Sequence, residues 1–205
     1  MTSSTQKVEK ASLVLSSIVT VSCLIAYFMN TRNGMGTFIF SSIVSTALLI
    51  VAMFKQRDNY MLSIRLRVIA NQFYIFSYFY LMLQTFTLTS NVITYGGHVE
   101  LVIFLLIFAL IGSAASICLM VCLFMTLVNK ETNNVSKWLR ISLLAIVFAS
   151  VILFEGQFAW FLIVGFTSGA SSIIEASLIM IMKMSMMVSI LLLTIYNLNS
   201  LHRSY

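Results

Sequence analysis

The sequence has few charged residues, since Asp, Glu, Lys and Arg together make up only 9% of its 205 residues. A typical soluble domain carries about 25% charged residues. Hydrophobic residues reach 60%, and the mean hydropathy is +1.01. This leaves too little polar surface to keep a compact particle in water. The composition therefore excludes a soluble fold, a disordered chain and a nucleic-acid reader, and it predicts a polytopic membrane protein.

Proline is absent, and cysteine is rare. Helices without proline tend to be straight, which argues mildly against the broken helices found at the binding sites of many secondary transporters. The three cysteines, Cys23, Cys118 and Cys122, all lie in apolar runs. We expect them to be free thiols that pack as small hydrophobic side chains, and not to form a disulfide framework.

Catalytic and metal-binding patterns are nearly absent from the chain. The two histidines, His98 and His202, belong to no metal-ligand spacing, and no nucleophile elbow or phosphate-binding glycine loop occurs. Five of the thirteen methionines crowd into residues 180–187. They face different sides of a helix around Lys183, so we expect flexible packing there and not a Cu(I) site. The sequence predicts no enzyme, no metal and no cofactor.

Six apolar runs have about the length needed to cross a bilayer. The expected spans cover residues 11–29, 36–54, 68–88, 101–128, 141–166 and 173–198. The predicted fold class is an all-α polytopic membrane protein, a six-helix bundle in one domain over residues 1–205. In a competing interpretation the fifth span ends near Phe154 and residues 157–166 form a re-entrant half-helix. That crossing would have only 17 residues, 138–154, which is the lower limit.

The distribution of basic residues predicts the orientation. With the N-terminus inside, ten Lys and Arg residues fall on the cytoplasmic side, and one, Arg32, falls on the opposite side. Under the positive-inside rule this bias places both termini in the cytoplasm. Two cytoplasmic basic loops are expected, at 55–67 and 129–140. Their basic residues are Lys55, Arg57, Arg65, Arg67, Lys130, Lys137 and Arg140.

The third span is unusually polar. One stripe at helical spacing holds Asn71, Tyr74, Tyr78 and Thr85, and a second holds Ser77, Tyr80 and Gln84. Unpaired polar groups in hydrocarbon cost several kcal/mol, so these stripes must face protein or water. Interhelical hydrogen bonds are one interpretation, and the wall of a pore or ligand cavity is the other. The predicted polar path contains Asn71, Tyr74, Tyr78, Gln84, Thr85, Gln157 and Glu175.

The fourth span carries small residues at the spacing of close helix contacts. Ala109 and Ser113 are four residues apart, as are Gly112 and Ser116. Small residues on one face let two helix backbones approach closely in a membrane. We expect these four residues to form a helix contact, either within the chain or between chains.

Two charges, Glu155 and Lys183, lie deep in the expected fifth and sixth spans. Glu155 follows Arg140 by 15 residues, and Lys183 precedes Asn199 by 16. At the rise of an α-helix, both lie about 22–24 Å from the cytoplasmic boundary. A tight turn near Gly169 would make these spans antiparallel neighbours. Because isolated charges at such depth cost from about 3 to above 10 kcal/mol, the shared height predicts an intramembrane ion pair.

Two functional classes fit these features. The first is a channel or transport subunit with a polar path near the third, fifth and sixth helices. The alternative is a non-catalytic membrane anchor or sensor subunit that recruits a cytosolic partner through its basic loops. Expected partners are membrane lipid and further copies of the chain or a cytosolic or membrane protein, without direct contact to nucleic acid. The expected location is a bacterial cell (inner) membrane, which the chain crosses several times.

Overall fold

The computed structural model of the chain describes residues 10–11, 13–21, 24–25, 35–56, 58–94, 99–128, 133–168 and 170–201. The first helix, α1, is described over residues 13–21. The other helices are α2 Met35–Lys55, α3 Tyr60–Thr94, α4 Val99–Leu127, α5 Asn133–Ser168 and α6 Ala170–Leu201. No strand occurs in the described ranges, so the all-α fold class is confirmed.

Three described stretches of helix are long and apolar enough to cross a bilayer. They are Ile103–Thr126 in α4, Val135–Leu153 in α5 and Met180–Asn197 in α6. Only 33% of the α4 stretch and 28% of the α5 stretch are buried inside the protein. The rest of these two surfaces is open to the surroundings, and hydrocarbon suits it better than water. The helices therefore support a membrane protein with transmembrane helices, while the count of six spans stays a prediction.

The two longest helices extend past the apolar runs from which they were predicted. Asn59 caps α3, because its Oδ1 accepts a hydrogen bond from the backbone N of Leu62 at 3.0 Å. The helix therefore begins at Tyr60, inside the stretch expected to be a basic loop, and places Arg65 and Arg67 on a helix. α5 continues without a break from Asn133 to Ser168. Hydropathy indicates only the apolar part of a helix. The backbone hydrogen bonds of the helix can continue into polar sequence, so the helix can be longer than the apolar run.

The chain divides into two compact units, a division that hydropathy does not show. The first unit consists of residues 1–74 and 161–205, and the second consists of residues 75–160. α3 and α5 each contribute to both units, because the boundaries fall within these helices. The single transmembrane domain over residues 1–205 stays a prediction.

In the first unit, α2 and α3 pack as an antiparallel pair. Ser45 Oγ donates to the carbonyl of Ala70 at 2.9 Å, and Ser63 Oγ donates to the carbonyl of Ala52 at 2.7 Å. Residue numbers rise along one helix as they fall along the other, as an antiparallel pair requires. Both donors are small buried serines, which let the helix backbones come close enough for side chain to reach main chain.

In the second unit, α4 lies close to α3 at Gly112. A Cβ built at this glycine would lie 3.0 Å from Met82 Sδ and 3.3 Å from the hydroxyl oxygen of Tyr78. Ala109, Gly112, Ser113 and Ser116 are all buried, which places the small-residue face of α4 inside the protein. One turn before Gly112, Phe108 of α4 contacts Phe148 of α5 with ring centroids 5.7 Å apart.

Replacing Gly112 with leucine tests the contact between α3 and α4. We expect Gly112→Leu to lower the free energy of unfolding by about 1–3 kcal/mol, because a large side chain must displace Met82 and Tyr78. The measurement is denaturant or thermal unfolding of the detergent-purified protein. Gly36→Leu is the matched control, since a Cβ built at Gly36 meets no atom within 4 Å. Equal stability of the two variants would contradict the contact.

Candidate functional site

The polar stripe predicted for the third span lies inside the protein. Asn71, Tyr74 and Tyr78 of α3 are at most 1% exposed. Each of the three side chains hydrogen-bonds to a side chain of a different helix. This arrangement agrees with the interpretation of the stripe as interhelical hydrogen bonding, and the pore or cavity wall stays a prediction.

Two hydrogen bonds join α3 to α6 within the first unit. Asn71 Nδ2 donates to Thr194 Oγ1 at 2.8 Å, and Arg67 Nη1 donates to the hydroxyl of Tyr196 at 2.6 Å. The guanidinium carbon of Arg67 also lies 4.6 Å from the centre of the Tyr196 ring. The order of the two bonds makes α3 and α6 antiparallel.

Arg67 is 1% exposed, although it was expected in a solvated basic loop. Burying a charge is costly unless polar partners replace its hydration shell. The Tyr196 hydroxyl supplies a hydrogen-bond acceptor, and the face of its ring attracts the guanidinium through its quadrupole. Arg67 is thus part of the packed interior and not of the exposed basic surface.

A cluster of hydroxyl groups connects α1, α2 and α3 in the same unit. Ser16 Oγ lies 2.5 Å from Thr46 Oγ1 and also hydrogen-bonds with the hydroxyl of Tyr74. Thr46 Oγ1 lies 3.2 Å from Thr20 Oγ1 and donates to the carbonyl of Ser42 at 2.8 Å. Tyr74 is one turn from Asn71 on α3. One face of α3 therefore bonds to α6 through Asn71 and, one turn later, to α1 through Tyr74.

Tyr78 makes the corresponding contact in the second unit. Its hydroxyl lies 2.6 Å from Ser150 Oγ of α5 and donates to the carbonyl of Ile146 at 3.2 Å. Ser150 also donates to the carbonyl of Ile146 at 2.6 Å. The tyrosine thus joins α3 to a turn of α5 whose carbonyl accepts two hydroxyl donors.

Several buried amide and hydroxyl atoms of α3 and α6 have no hydrogen-bond partner in the described structure. They are Oδ1 of Asn71, Oγ of Ser77 and both Oδ1 and Nδ2 of Asn197. Asn197 is fully buried and lies one turn after Thr194 on α6. A buried polar group without a partner costs about 1–3 kcal/mol, so each of these atoms calls for a water molecule or a ligand.

These observations define the α3–α6 cluster, which lies wholly within the first unit. Its members are Arg67, Asn71, Thr194, Tyr196 and Asn197. All five side chains are between 0% and 5% exposed. The cluster combines a buried cation, two primary amides and two hydroxyls, which can hold a polar group away from bulk water.

The remaining residues of the predicted path lie mostly outside the part that the structure describes. This holds for the side chains of Gln84, Thr85, Glu155, Gln157 and Glu175. Lys183 lies on α6 and is half-buried. The ion pair between Glu155 and Lys183 therefore stays a prediction.

The basic residues divide into exposed and buried groups. Arg57 and Lys130 lie outside the described residues. The exposed group consists of Lys55, Arg65, Lys137 and Arg140. Lys55 Nζ lies 3.9 Å from Asp58 Oδ2, and the Trp138 side chain beside Lys137 is 55% exposed. An aromatic residue among exposed cations is typical of a helix end at the membrane interface.

The partners that α6 supplies were not predicted from the sequence. Thr194, Tyr196 and Asn197 form a short polar group that follows the apolar residues 190–193 of the sixth span, and this fall in hydropathy was the signal that could have indicated them. Ser150 in the fifth span was missed in the same way. A single hydroxyl in a long apolar run does not predict a contact with another helix, because serine and threonine side chains can also donate to a carbonyl of their own helix.

Comparison of the chain with models of known protein families, with curated proteins and with solved structures found no match. Among the described residues, no group of three or more His, Cys, Asp and Glu side chains could hold a metal ion. The function must therefore be argued from the α3–α6 cluster and the polar face of α3.

A double-mutant cycle on Asn71 and Thr194 tests the bond between α3 and α6. We expect a coupling energy of about 0.6–1.7 kcal/mol from Asn71→Leu, Thr194→Val and the double variant, the range measured for interhelical bonds in membranes. The measurement is the free energy of unfolding in detergent. Ser113→Ala is the control partner, because Ser113 Oγ donates to the Ala109 carbonyl of its own helix at 2.7 Å. Its coupling to Asn71→Leu should be near zero, and a coupling as large as that of Thr194→Val would contradict a direct bond.

Proposed function

We propose that the chain is a channel or transport subunit of a bacterial cell (inner) membrane. In this proposal six helices cross the membrane, both termini lie in the cytoplasm, and α3, α5 and α6 form a polar path. The observation that carries it is the set of buried polar atoms without partners on α3 and α6. Packing alone gives no reason to retain such atoms, whereas a path for water, ions or polar solutes requires them.

The orientation of α3 supports the same proposal. Its polar residues Arg67, Asn71, Tyr74 and Tyr78 are buried, whereas its exposed positions include Ile69, Phe76 and Leu83. A helix that faces lipid on one side and a polar interior on the other can line a path. The hydroxyl and amide bonds to neighbouring helices then fix the wall of that path in position.

The proposed path continues deeper into the membrane through the predicted pair of Glu155 and Lys183. α5 is helical through Glu155 and α6 through Lys183, so the rise per residue used to estimate their depth applies to both. In the proposal the pair lines or gates the path. Gln84, Thr85, Gln157 and Glu175 complete it.

A second candidate function rests on the exposed basic residues. Lys55, Arg65, Lys137 and Arg140 are all exposed. Solvated cations beside membrane-spanning helices can hold an acidic surface of another protein. In this alternative the chain is a non-catalytic anchor or sensor that recruits a cytosolic partner, and the partnerless amides only hold structural water.

Substitutions of Glu155 and Lys183 in reconstituted liposomes test the transport proposal. We expect Glu155→Gln or Lys183→Gln alone to reduce ion or solute flux more than the double variant does, because a single change leaves one buried charge without its partner. Exchange of the two charges should restore part of the flux. Lys137→Gln, at an exposed lysine of α5, is the control and should leave flux unchanged. Harmless single variants would contradict the pair, and absence of flux from the wild-type protein would contradict transport.

Gentle purification tests the alternative. If the chain is an anchor, a cytosolic protein should co-purify at fixed stoichiometry, and Arg65→Gln combined with Lys137→Gln should release it. The interaction should weaken with added salt, because charges on an exposed surface are screened. Ser189→Ala is the matched control, at a buried serine whose Oγ donates to the Ser185 carbonyl of its own helix at 2.8 Å. A wild-type protein that purifies alone would count against the anchor.

A further inference from the structure

One face of α5 combines exposed cations with exposed apolar side chains. We propose that this face binds one anionic phospholipid, with the phosphate of its headgroup between Lys137 and Arg140. An acyl chain of the lipid lies along Ile141, Leu144 and Phe148, and these five residues form the α5 lipid face. The inference goes beyond the proposed function, because the lipid can bind whether or not the chain transports a solute.

The spacing of the five residues places them on the same side of α5. Ile141, Leu144 and Phe148 follow Lys137 by four, seven and eleven residues, which is the repeat of one helix face. Arg140 is three residues from Lys137 and therefore lies beside it. The three apolar side chains are between 42% and 70% exposed, so the face is open to a ligand from outside the protein.

The opposite side of α5 packs against the rest of the protein. Its buried residues are Leu139, Ser142, Ile146, Ala149 and Leu153. This packing fixes the rotation of the helix and directs the α5 lipid face outward. In a membrane protein the molecules that meet such an apolar face are lipids.

The two cations on the face call for an anion. Like charges one turn apart destabilise a helix, and within the described ranges neither Lys137 nor Arg140 forms an ion pair. Lys55 differs in this respect, since its Nζ lies 3.9 Å from Asp58 Oδ2. A guanidinium matches phosphate oxygens in a planar fork, and an ammonium adds a point charge beside it. A zwitterionic headgroup brings its own cation, so an anionic headgroup compensates the pair better.

The length of the face matches one leaflet of a bilayer. The eleven residues from Lys137 to Phe148 rise about 16 Å, and half of a hydrocarbon core of about 30 Å is about 15 Å. An acyl chain whose headgroup lies at Lys137 therefore ends near Phe148. There Phe108 of α4 contacts Phe148, and Phe104 contacts Phe108 with ring centroids 4.7 Å apart. These rings border the end of the acyl chain.

Trp138 marks the level of the headgroup. Its side chain is 55% exposed, and it lies between the two cations in the sequence. Tryptophan is enriched at the membrane–water interface, because one end of its ring system is apolar and the other carries an N–H group. The predicted orientation places this end of α5 at the cytoplasmic leaflet, whose surface is negative because of its anionic lipids.

The test is fluorescence quenching of Trp138 by brominated lipids. The chain has two tryptophans, so Trp160→Phe leaves Trp138 as the single fluorophore of the full-length protein. The protein is reconstituted in vesicles of phosphatidylcholine and phosphatidylglycerol, in which one lipid at a time carries bromine on its acyl chains. We expect brominated phosphatidylglycerol to quench Trp138 more strongly than brominated phosphatidylcholine at the same mole fraction.

Three variants separate the α5 lipid face from general surface charge. Lys137→Gln and Arg140→Gln should each lower the preference for phosphatidylglycerol about fivefold, the effect of one basic residue near an anionic surface. The double variant should lose the preference. Lys55→Gln is the matched control, because it removes an exposed lysine of α2 and should leave quenching unchanged. All three side chains are exposed, so the variants should fold like the parent protein.

A second measurement applies if Trp160→Phe does not fold. The unfolding temperature of the protein with both tryptophans is then compared between nanodiscs of phosphatidylcholine alone and nanodiscs that also contain phosphatidylglycerol. We expect phosphatidylglycerol to raise it, and the double variant of Lys137 and Arg140 to lose most of that rise. Lys55→Gln should retain it.

Equal quenching by the two brominated lipids would overturn the proposal, and so would a preference that survives the double variant. An equal loss of preference from Lys55→Gln would also overturn it, since surface charge would then explain the effect. In these cases the cations remain available to the acidic protein surface of the second candidate function. Because binding is measured without flux, failure here leaves the transport proposal standing, and a protein without flux can still bind the lipid.

Discussion

Inside a bilayer a polar side chain must find its hydrogen-bond partner within the protein, and this constraint organises the structure around α3. Asn71 and Tyr74 reach α6 and α1 in the first unit, and Tyr78 reaches α5 in the second. Each bond fixes the rotation of α3, since turning this helix by a quarter would move its polar face out of the protein interior. In this rotation the exposed positions of α3 are apolar, and Tyr78 and Met82 lie against Gly112 of α4.

Serine and threonine side chains satisfy the same constraint in two different ways. Ser113, Ser116 and Ser189 donate to carbonyls one turn earlier in their own helices, and such bonds place no demand on a neighbouring helix. Ser45 and Ser63 instead donate across the α2–α3 pair. The first group allows close packing without specifying a partner, whereas the second specifies which helix must lie alongside and in what register.

Composition and hydropathy were sufficient to predict an all-α membrane protein. The burial of apolar helices in lipid depends on their overall composition more than on the identity of individual residues. The spacing of Asn71, Tyr74 and Tyr78 also predicted one face, since the period of a helix is fixed. Their partners could not be predicted, because they lie 58, 72 and 123 positions away in the sequence, and which two helices meet depends on packing between such distant segments. Arg67 shows the same limit: its charge pattern indicated a loop, but the cap at Asn59 extends the helix, and α6 buries the guanidinium.

The bond between Arg67 and Tyr196 has a consequence for how the chain is made. The two residues are 129 positions apart in the sequence. At roughly 5–20 residues per second, a ribosome needs about 6–26 s after Arg67 to synthesise its partner. During that interval α2 and α3 can already pair, because Ser45 and Ala70 are only 25 positions apart, whereas the guanidinium has to remain hydrated or shielded by other factors. Release of the chain before α6 is complete would leave the Arg67 guanidinium without the hydroxyl and ring of Tyr196.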